Sequence, residues 1–377
     1  NYTVERETTV QSSFNVFTYW STPITSATFA AVAPTTHEYY SFNNATQEWV
    51  LGSATTPMNP GIGYALEGPD TGTYPGAQTA TFVGAPFNNG NIANVLSFSA
   101  DGDADNDWNL VGNPYPSAID ADAFISHNGT NIGGTIYFWT HNTPEDPNVN
   151  NTEDDYAMYN AAGGTAAATG GVVPDGNIAS AQGFFVQALN AVTVADFFTN
   201  EMRLDSDNTT FFKGTKQHKQ VEKDRIWLNL ESESSFSQIL VGFFEDANDD
   251  IDTKYDGVRF FSKPSLNFYS IINDREYGIQ GKAPLKETEI IPLGFVTNTT
   301  GEFTISIDKF EGKLNASNIY LEDRLLNTRH NLKTTDYVFN VNTTGTFNNR
   351  FKLILETEES VLNVDENKFL NEVKIIN

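Results

Sequence analysis

The chain has 377 residues, 39% hydrophobic and 13% aromatic, enough large apolar side chains to fill real cores and to exclude a disordered polymer. Charged residues make up only 19%, yet the formal charge is −26, which excludes binding to nucleic acid or anionic membrane through clustered Lys and Arg. The absence of cysteine removes disulfides, thiolate metal sites and cysteine nucleophiles, and no stretch approaches the length of a transmembrane helix.

Helical periodicity is nearly absent along the chain. Short alternating runs bounded by Gly, Pro, Asn or Asp predict strands throughout. The first half opens with "NYTVERETTV", which lacks the basic flank and apolar run of a signal peptide, so the chain reads as a piece or mature form of something longer. An aromatic-rich strand, "HEYYSFNNATQEWV", leads to "MNPGIGYALEG" (58–68). A second aromatic strand, "TIYFWTHN", leads to "IASAQGFFVQA" (178–188), and the two pairings resemble each other as a faint internal repeat. Such a repeat predicts one larger β-domain with two related halves. Between them, 148–176 is rich in Asn, Ala, Gly and Thr and poor in large apolar residues, so a long surface loop is expected there. "ALNAVTVADFF" could pass for a helix, but its Val-Thr-Val centre favours a strand. Composition turns polar and basic between 200 and 225, which sets a domain boundary. A second strand series runs from Ile226 to about Leu355, and the tail from 358 begins with an acidic linker.

Two acidic stretches are candidate calcium loops. In "DGDADNDW", Asp101, Asp103, Asp105 and Asp107 alternate; in "EDANDDIDTKYDG", Asp246, Asn248, Asp250 and Asp252 alternate. Calcium takes six to eight oxygens, and closely spaced carboxylates in a loop can supply several. Neither stretch has the Gly and Glu of an EF-hand, and an acidic chain produces such runs by composition alone. The competing readings are a solvated acidic turn for the first and a charged hairpin turn for the second.

Enzyme signatures are missing. His37, His127, His141, His218 and His330 show no metal-ligand spacing, and no Gly-x-Ser-x-Gly elbow or phosphate loop occurs. Exposed aromatics are a better hint. Trp49 and Trp139 are the candidate glycan contacts, because an outward ring can stack on the apolar face of a sugar. The competing expectation is that most of these rings fill the sandwich interior.

The segment "DWNLVGNPYPSAIDADAF" resembles a recurrent segment of large secreted proteins of the Bacteroidetes. "IWLNLESESSFSQILVGFFEDANDDIDTKYDG", "EIIPLGFVTNTTGEFTISIDKFEG" and "YVFNVNTTGTFNNRFKLIL" resemble, in order, the domain that precedes the sorting signal of type IX secretion cargo. The tail "LNVDENKFLNEVKIIN" resembles the entry to the sorting domain, though its usual "YPNP" does not occur. The resemblance implies export through the type IX translocon and a place outside the cell or on the bacterial surface. It carries over no catalytic residue. Physically, the same segment reads as a strand entered at Trp108, a Gly112-Asn113 turn, and prolines 114 and 116 holding Tyr115 extended. Ser117 or Asp120 could then cap a helical turn through Phe124.

The expected fold is all-β, with two consecutive β-sandwich domains of jelly-roll or immunoglobulin-like type. Residues 1–205 form the first, with its long loop near 148–176. Residues 222–357 form the second, and 358–377 a linker and the start of a sorting module. The expected role is non-catalytic and adhesin-like. The alternative is a carbohydrate-binding accessory module of a secreted polysaccharide hydrolase. Expected partners are the type IX translocon during export and surface glycans or other surface proteins, with Ca2+ the one candidate cofactor.

Overall fold

A computed structural model describes residues 2–36, 38–84, 86–102, 106–140, 155–205, 223–259 and 266–357. Strand accounts for 52% and helix for 6%, so the all-β class holds. The chain forms two compact units: Asn1–Gln217 with Phe260–Ser262, and His218–Arg259 with Lys263–Asn377. The segment 206–222, where composition sets a boundary, lies outside the described residues, as does the tail from 358.

The first unit is built from one strand plan used twice. The first half has β1 (Tyr2–Glu7), β2 (Phe17–Trp20), β3 (Ala27–Thr28), β4 (Tyr39–Asn43), β5 (Glu48–Leu51), β6 (Pro57–Met58), β7 (Tyr64–Glu67) and β8 (Thr79–Gly84). The second has β9 (Ile92–Leu96), β10 (Trp108–Gly112), β11 (Ile119–Asp120), α1 (Ala121–Asn128), β12 (Ile132–Trp139), β13 (Tyr156–Asn160), β14 (Gly163–Thr165), β15 (Asn177–Ile178), β16 (Gly183–Ala188) and β17 (Val192–Phe198). Sheet order β2-β7-β4-β5 in the first half is matched by β10-β16-β12-β13-β14 in the second. The small pairs match as well: β3-β6 with β11-β15, and β1-β8 with β9-β17.

Each half has its own core. Trp20, Ile24, Phe29, Tyr39, Met58, Tyr64 and Leu66 cluster in the first. Val111, Tyr115, Phe124, Ile136, Ile178, Phe184 and Val186 cluster in the second. The two "turn–Gly–aromatic" stretches therefore end in equivalent central strands, β7 and β16. Both cores lie within one compact unit, and its strands are short, two to eight residues each.

The halves meet through their backbones. Isolated antiparallel bridges join Trp20 to Gln182 and Ile62 to Val111, positions that are equivalent in the two strand plans. Ser21 N donates to Ala181 O at 2.7 Å, and Gly112 N donates to Gly61 O at 3.1 Å. Ala181 sits at φ 61°, the left-handed value that Gly61 adopts at 84° in the first half. The approach needs glycine on both sides. A Cβ on Gly63 would lie 2.6 Å from Val111 O, and one on Gly183 would lie 3.0 Å from the Tyr19 backbone.

Residues 155–167 correct the expectation of a surface loop. β13 and β14 are buried strands, and Ala162, Ala166 and Ala167 are buried beside them. Small side chains are what this packing needs, since a Cβ on Gly164 would come 2.4 Å from Pro174 O. Of the rest of the expected loop, 171–175 has no regular structure, with Gly171, Val172 and Asp175 exposed, and 148–154 lies outside the described residues.

The second unit is a β-sandwich. It runs β18 (Asp224–Glu231), β19 (Phe236–Phe243), β20 (Leu266–Ile272), β21 (Arg275–Tyr277), β22 (Ile279–Lys282), β23 (Thr288–Thr297), β24 (Gly301–Glu311), β25 (Asn318–Asp323), β26 (Thr328–Asn331), β27 (Tyr337–Val341) and β28 (Gly345–Glu356). One sheet has the order β22-β19-β18-β24-β27, the other β21-β20-β23-β28-β25-β26. Alternate residues Ile226, Leu228 and Leu230 meet Phe268, Leu293, Phe295 and Leu353 in one core. On the other face of β18, Trp227 is covered by Lys309, whose Nζ lies 4.0 Å from the ring. Asp323 is fully buried at the end of β25. It accepts from Arg350 Nη2 at 2.9 Å, Tyr337 Oη at 3.0 Å and Leu325 N at 2.9 Å.

Two stability measurements follow. Gly63→Ala is expected to cost about 1–3 kcal/mol in chemical denaturation, because the neighbour is backbone and cannot step aside. Gly133→Ala, whose new methyl would meet nothing nearer than 3.8 Å, serves as the tolerated control. Asp323→Ala strands the buried Arg350 charge and is expected to cost about 3–5 kcal/mol.

Candidate functional site

The acidic front of the Trp108 strand closes on a serine. Asp107 is buried and accepts from Ser99 N at 2.7 Å and Ser99 Oγ at 3.1 Å. Asp101 is exposed and accepts from Ser99 Oγ at 2.8 Å and Asn106 Nδ2 at 3.0 Å. Asp103 and Asp105 lie outside the described residues.

The "GNPYP" turn behind this front is built around Asn113. Its buried carboxamide donates to Ser117 O, Ile178 O and Ala179 O, and its Oδ1 accepts from Tyr115 N at 2.9 Å. Tyr115 Oη donates to Gly90 O, and Arg203 lies over the Tyr115 ring at 5.2 Å. Asp120 caps α1 by accepting from Ala123 N at 3.0 Å. The segment thus enters a strand, turns and starts a helix, with its polar groups turned to its own chain.

The second acidic loop, after β19, is held by its own cations. Asp246 accepts from Lys254 Nζ at 2.6 Å and Tyr255 Oη at 2.5 Å, which together hold its carboxyl below the usual range. Asn248 Oδ1 accepts from Asp250 N at 2.8 Å, and Asp252 Oδ1 accepts from Lys254 N at 3.0 Å. Asp249, outside the alternating set, pairs with Lys282 and Lys286 and is lowered to about 2. Asp256 ends the loop. It accepts from Asp252 N at 2.7 Å and Gly281 N at 2.8 Å, but burial pushes its carboxyl up to about 7. Beside this loop an open cleft of about 470 Å3 is lined by Phe243, Phe244, Asp224, Asp246, Lys223 and Lys313, among others. Among the described residues, no group of three or more His, Asp or Glu is placed to hold a metal ion.

The candidate tryptophans belong to one aromatic cluster, and both halves of the first unit contribute to it. Trp139 stacks on Tyr19 with centroids 5.8 Å apart and an interplanar angle of 14°. Trp49 lies 5.8 Å from Tyr19 and 5.1 Å from Phe42. Phe185 closes the set 5.0 Å from Phe42, and the Tyr19 and Tyr156 hydroxyls are 2.6 Å apart. Trp139 is half-buried and its Nε1 donates to Phe17 O at 3.1 Å. Trp49 is 41% exposed, while Tyr39, Tyr137 and Phe138 are buried. Interior packing thus takes most of the predicted rings, and Trp49 is the one that opens to solvent.

Charge is uneven around this cluster. Residues 1–205 carry 21 Asp and Glu against two Arg and no Lys. Arg6 is buried, and burial lowers the pKa of its guanidinium. Yet from Trp49 to Leu66 there is no charged residue at all. That uncharged window begins on β5, whose four residues are all exposed. Periodicity marks β5 as a strand, but nothing in its spelling says that it is an edge. The pairing of the halves at Gly63 and Gly183 is equally silent in the sequence, as is the role of Ser99.

The class these features define is an all-β protein of two compact units, its acidic loops tied to their own chain and its first unit doubled. Within that class the chain belongs to the family described as Domain of unknown function (DUF8693), whose model matches residues 1–355 and so takes in the described strands of both units up to Leu355. No curated protein and no solved structure matches the chain.

Asp256 supplies a pH test. Its folded pKa lies above the unfolded value, so the neutral form is favoured in the fold. Its contribution is full below about pH 4 and is lost as pH rises through about 7. Carboxyl NMR is expected to show a midpoint near 7 for this residue. That share of the pH dependence of unfolding is expected to vanish in Asp256→Asn.

Proposed function

We propose that the chain is a non-catalytic β-sheet region of a bacterial surface protein, exported through the type IX translocon and adhesin-like in role. The observation that carries this reading is the closure of the polar motifs. Asp101, Asp107, Asp246, Asp249, Asp252 and Asp256 of the two loops, and Asn113 in the "GNPYP" turn, are engaged by donors or acceptors of their own chain. Groups so engaged serve the fold. Export and surface location rest on the resemblance of 108–377 to type IX cargo. An acidic, cysteine-free chain held by apolar β-cores agrees with life outside a bacterium.

A second reading, a carbohydrate-binding module, is favoured by one feature. Trp49 is exposed at the rim of a cluster whose other rings hold it rigidly, an arrangement suited to stacking on a sugar. A glycan array separates the two. Under the surface-region reading, cells displaying the chain adhere without glycan selectivity, and Trp49→Ala leaves adhesion unchanged. Selective binding to one glycan class, lost at least tenfold in Trp49→Ala, establishes the module instead. The surface-region reading needs no cation, so a melting temperature unmoved by chelator is expected.

A further inference from the structure

The two halves of the first unit differ at one edge. In the second half the outer strand β13 is covered by β14, with Met158 opposite Thr165 and Asn160 opposite Gly163. In the first half the equivalent strand, β5, is the last in its sheet. Leu51 takes the place of Met158, because Leu51 faces Tyr40 as Met158 faces Tyr137. Among the described residues, nothing in this half corresponds to β14.

The register fixes which backbone groups are open. Gly52 N donates to Tyr39 O, so the hydrogen-bonded pairs of this hairpin alternate through Ser41 with Val50 and Asn43 with Glu48. Trp49 and Leu51 therefore direct their N–H and C=O groups away from β4. Their side chains and that of Val50 are exposed too, at 41%, 65% and 46%. An apolar strand with open edge groups is a template for strand addition.

We propose that β5 is the docking edge for a second copy of this chain, the two strands pairing antiparallel about a twofold axis at Val50. That register is self-complementary. Trp49 meets the partner's Leu51 as a hydrogen-bonded pair, using the two residues whose groups point outward, and it does so twice by symmetry. Val50 meets its own counterpart in a non-hydrogen-bonded pair, where side chains come closest. Charge selects the same register. Glu48 falls opposite the partner's Gly52, so no like charges oppose across the pair. The contact also begins an uncharged stretch, Trp49–Leu66, so no further charge follows Glu48 along the docking edge. This inference is independent of export and of glycan binding.

The test uses the full chain in sedimentation velocity over rising concentration. A short strand pair buries little area, so a dimer with a dissociation constant of roughly 10 µM to 1 mM is expected, strengthened by salt that screens the acidic halves. Leu51→Pro removes one outward N–H and leaves the bonds to β4, so its fold and melting temperature are expected to persist while the dimer is lost. Because the chain has no cysteine, Val50→Cys places a single thiol on the twofold axis. Oxidation is expected to give a disulfide-linked dimer, with Val10→Cys, in an exposed loop, as the uncoupled control. A dimer that survives Leu51→Pro would overturn the proposal. So would a chain that stays monomeric throughout that range and cross-links no faster as Val50→Cys than as Val10→Cys.

Discussion

The first unit depends on an exchange of backbone contacts between its two halves. Ser21 donates to Ala181, Gly112 donates to Gly61, and the bridges Trp20–Gln182 and Ile62–Val111 sit beside them. Each half alone is a sandwich of short strands, too small to bury much apolar surface. Joined, the halves share an aromatic wall and cover each other's strand edges. The β4–β5 turn shows this directly: Gln47 Nε2 donates to Trp108 O at 2.9 Å, Trp108 N donates to Gln47 Oε1 at 3.2 Å, and Leu110 N donates to Asn44 Oδ1 at 3.2 Å. Three side-chain contacts from one half thus replace a missing neighbour strand for β10 in the other.

The same doubling decides which surfaces are open. Where both halves spend equivalent positions on packing, as at Tyr64 and Phe184, nothing is left for a partner. Where the plan is broken, as at β5 without a covering strand, apolar residues and backbone groups reach solvent. The acidic loops behave differently. In the second unit lysines pair with Asp246 and Asp249 while backbone N–H groups serve Asp252 and Asp256, and in the first Asp101 and Asp107 turn to Ser99. Both devices give carboxylates at the ends of strands a donor from their own chain.

How much of this was legible in the sequence depends on the range of each signal. Strand alternation is local, so the all-β class, β17 in "AVTVADFF" and the Asp120 cap could be read from neighbouring residues. The repeat was visible only at "GIGYALEG" and "AQGFFVQA", because there the central strand keeps both glycine and aromatic. Elsewhere the halves share topology without spelling: Trp20 stands where Val111 does, and Met58 where Ile178 does. The stretch around Gly163–Thr165 misled for a physical reason. A covering strand pressed against another backbone needs small side chains, which composition reads as a loop. The Asp323–Arg350 pair was silent because its partners are 27 residues apart and meet only across β25 and β28.

Amide hydrogen exchange on the full chain tests the joining of the halves most directly. If the shared backbone contacts hold the first unit together, the amides of Ser21 and Gly112 exchange only when the whole unit opens, as slowly as those of Leu66 and Val186 in the two central strands. If Ser21 and Gly112 exchange orders of magnitude faster while both central strands stay protected, the halves are separable domains, and the contact between them is incidental to the fold.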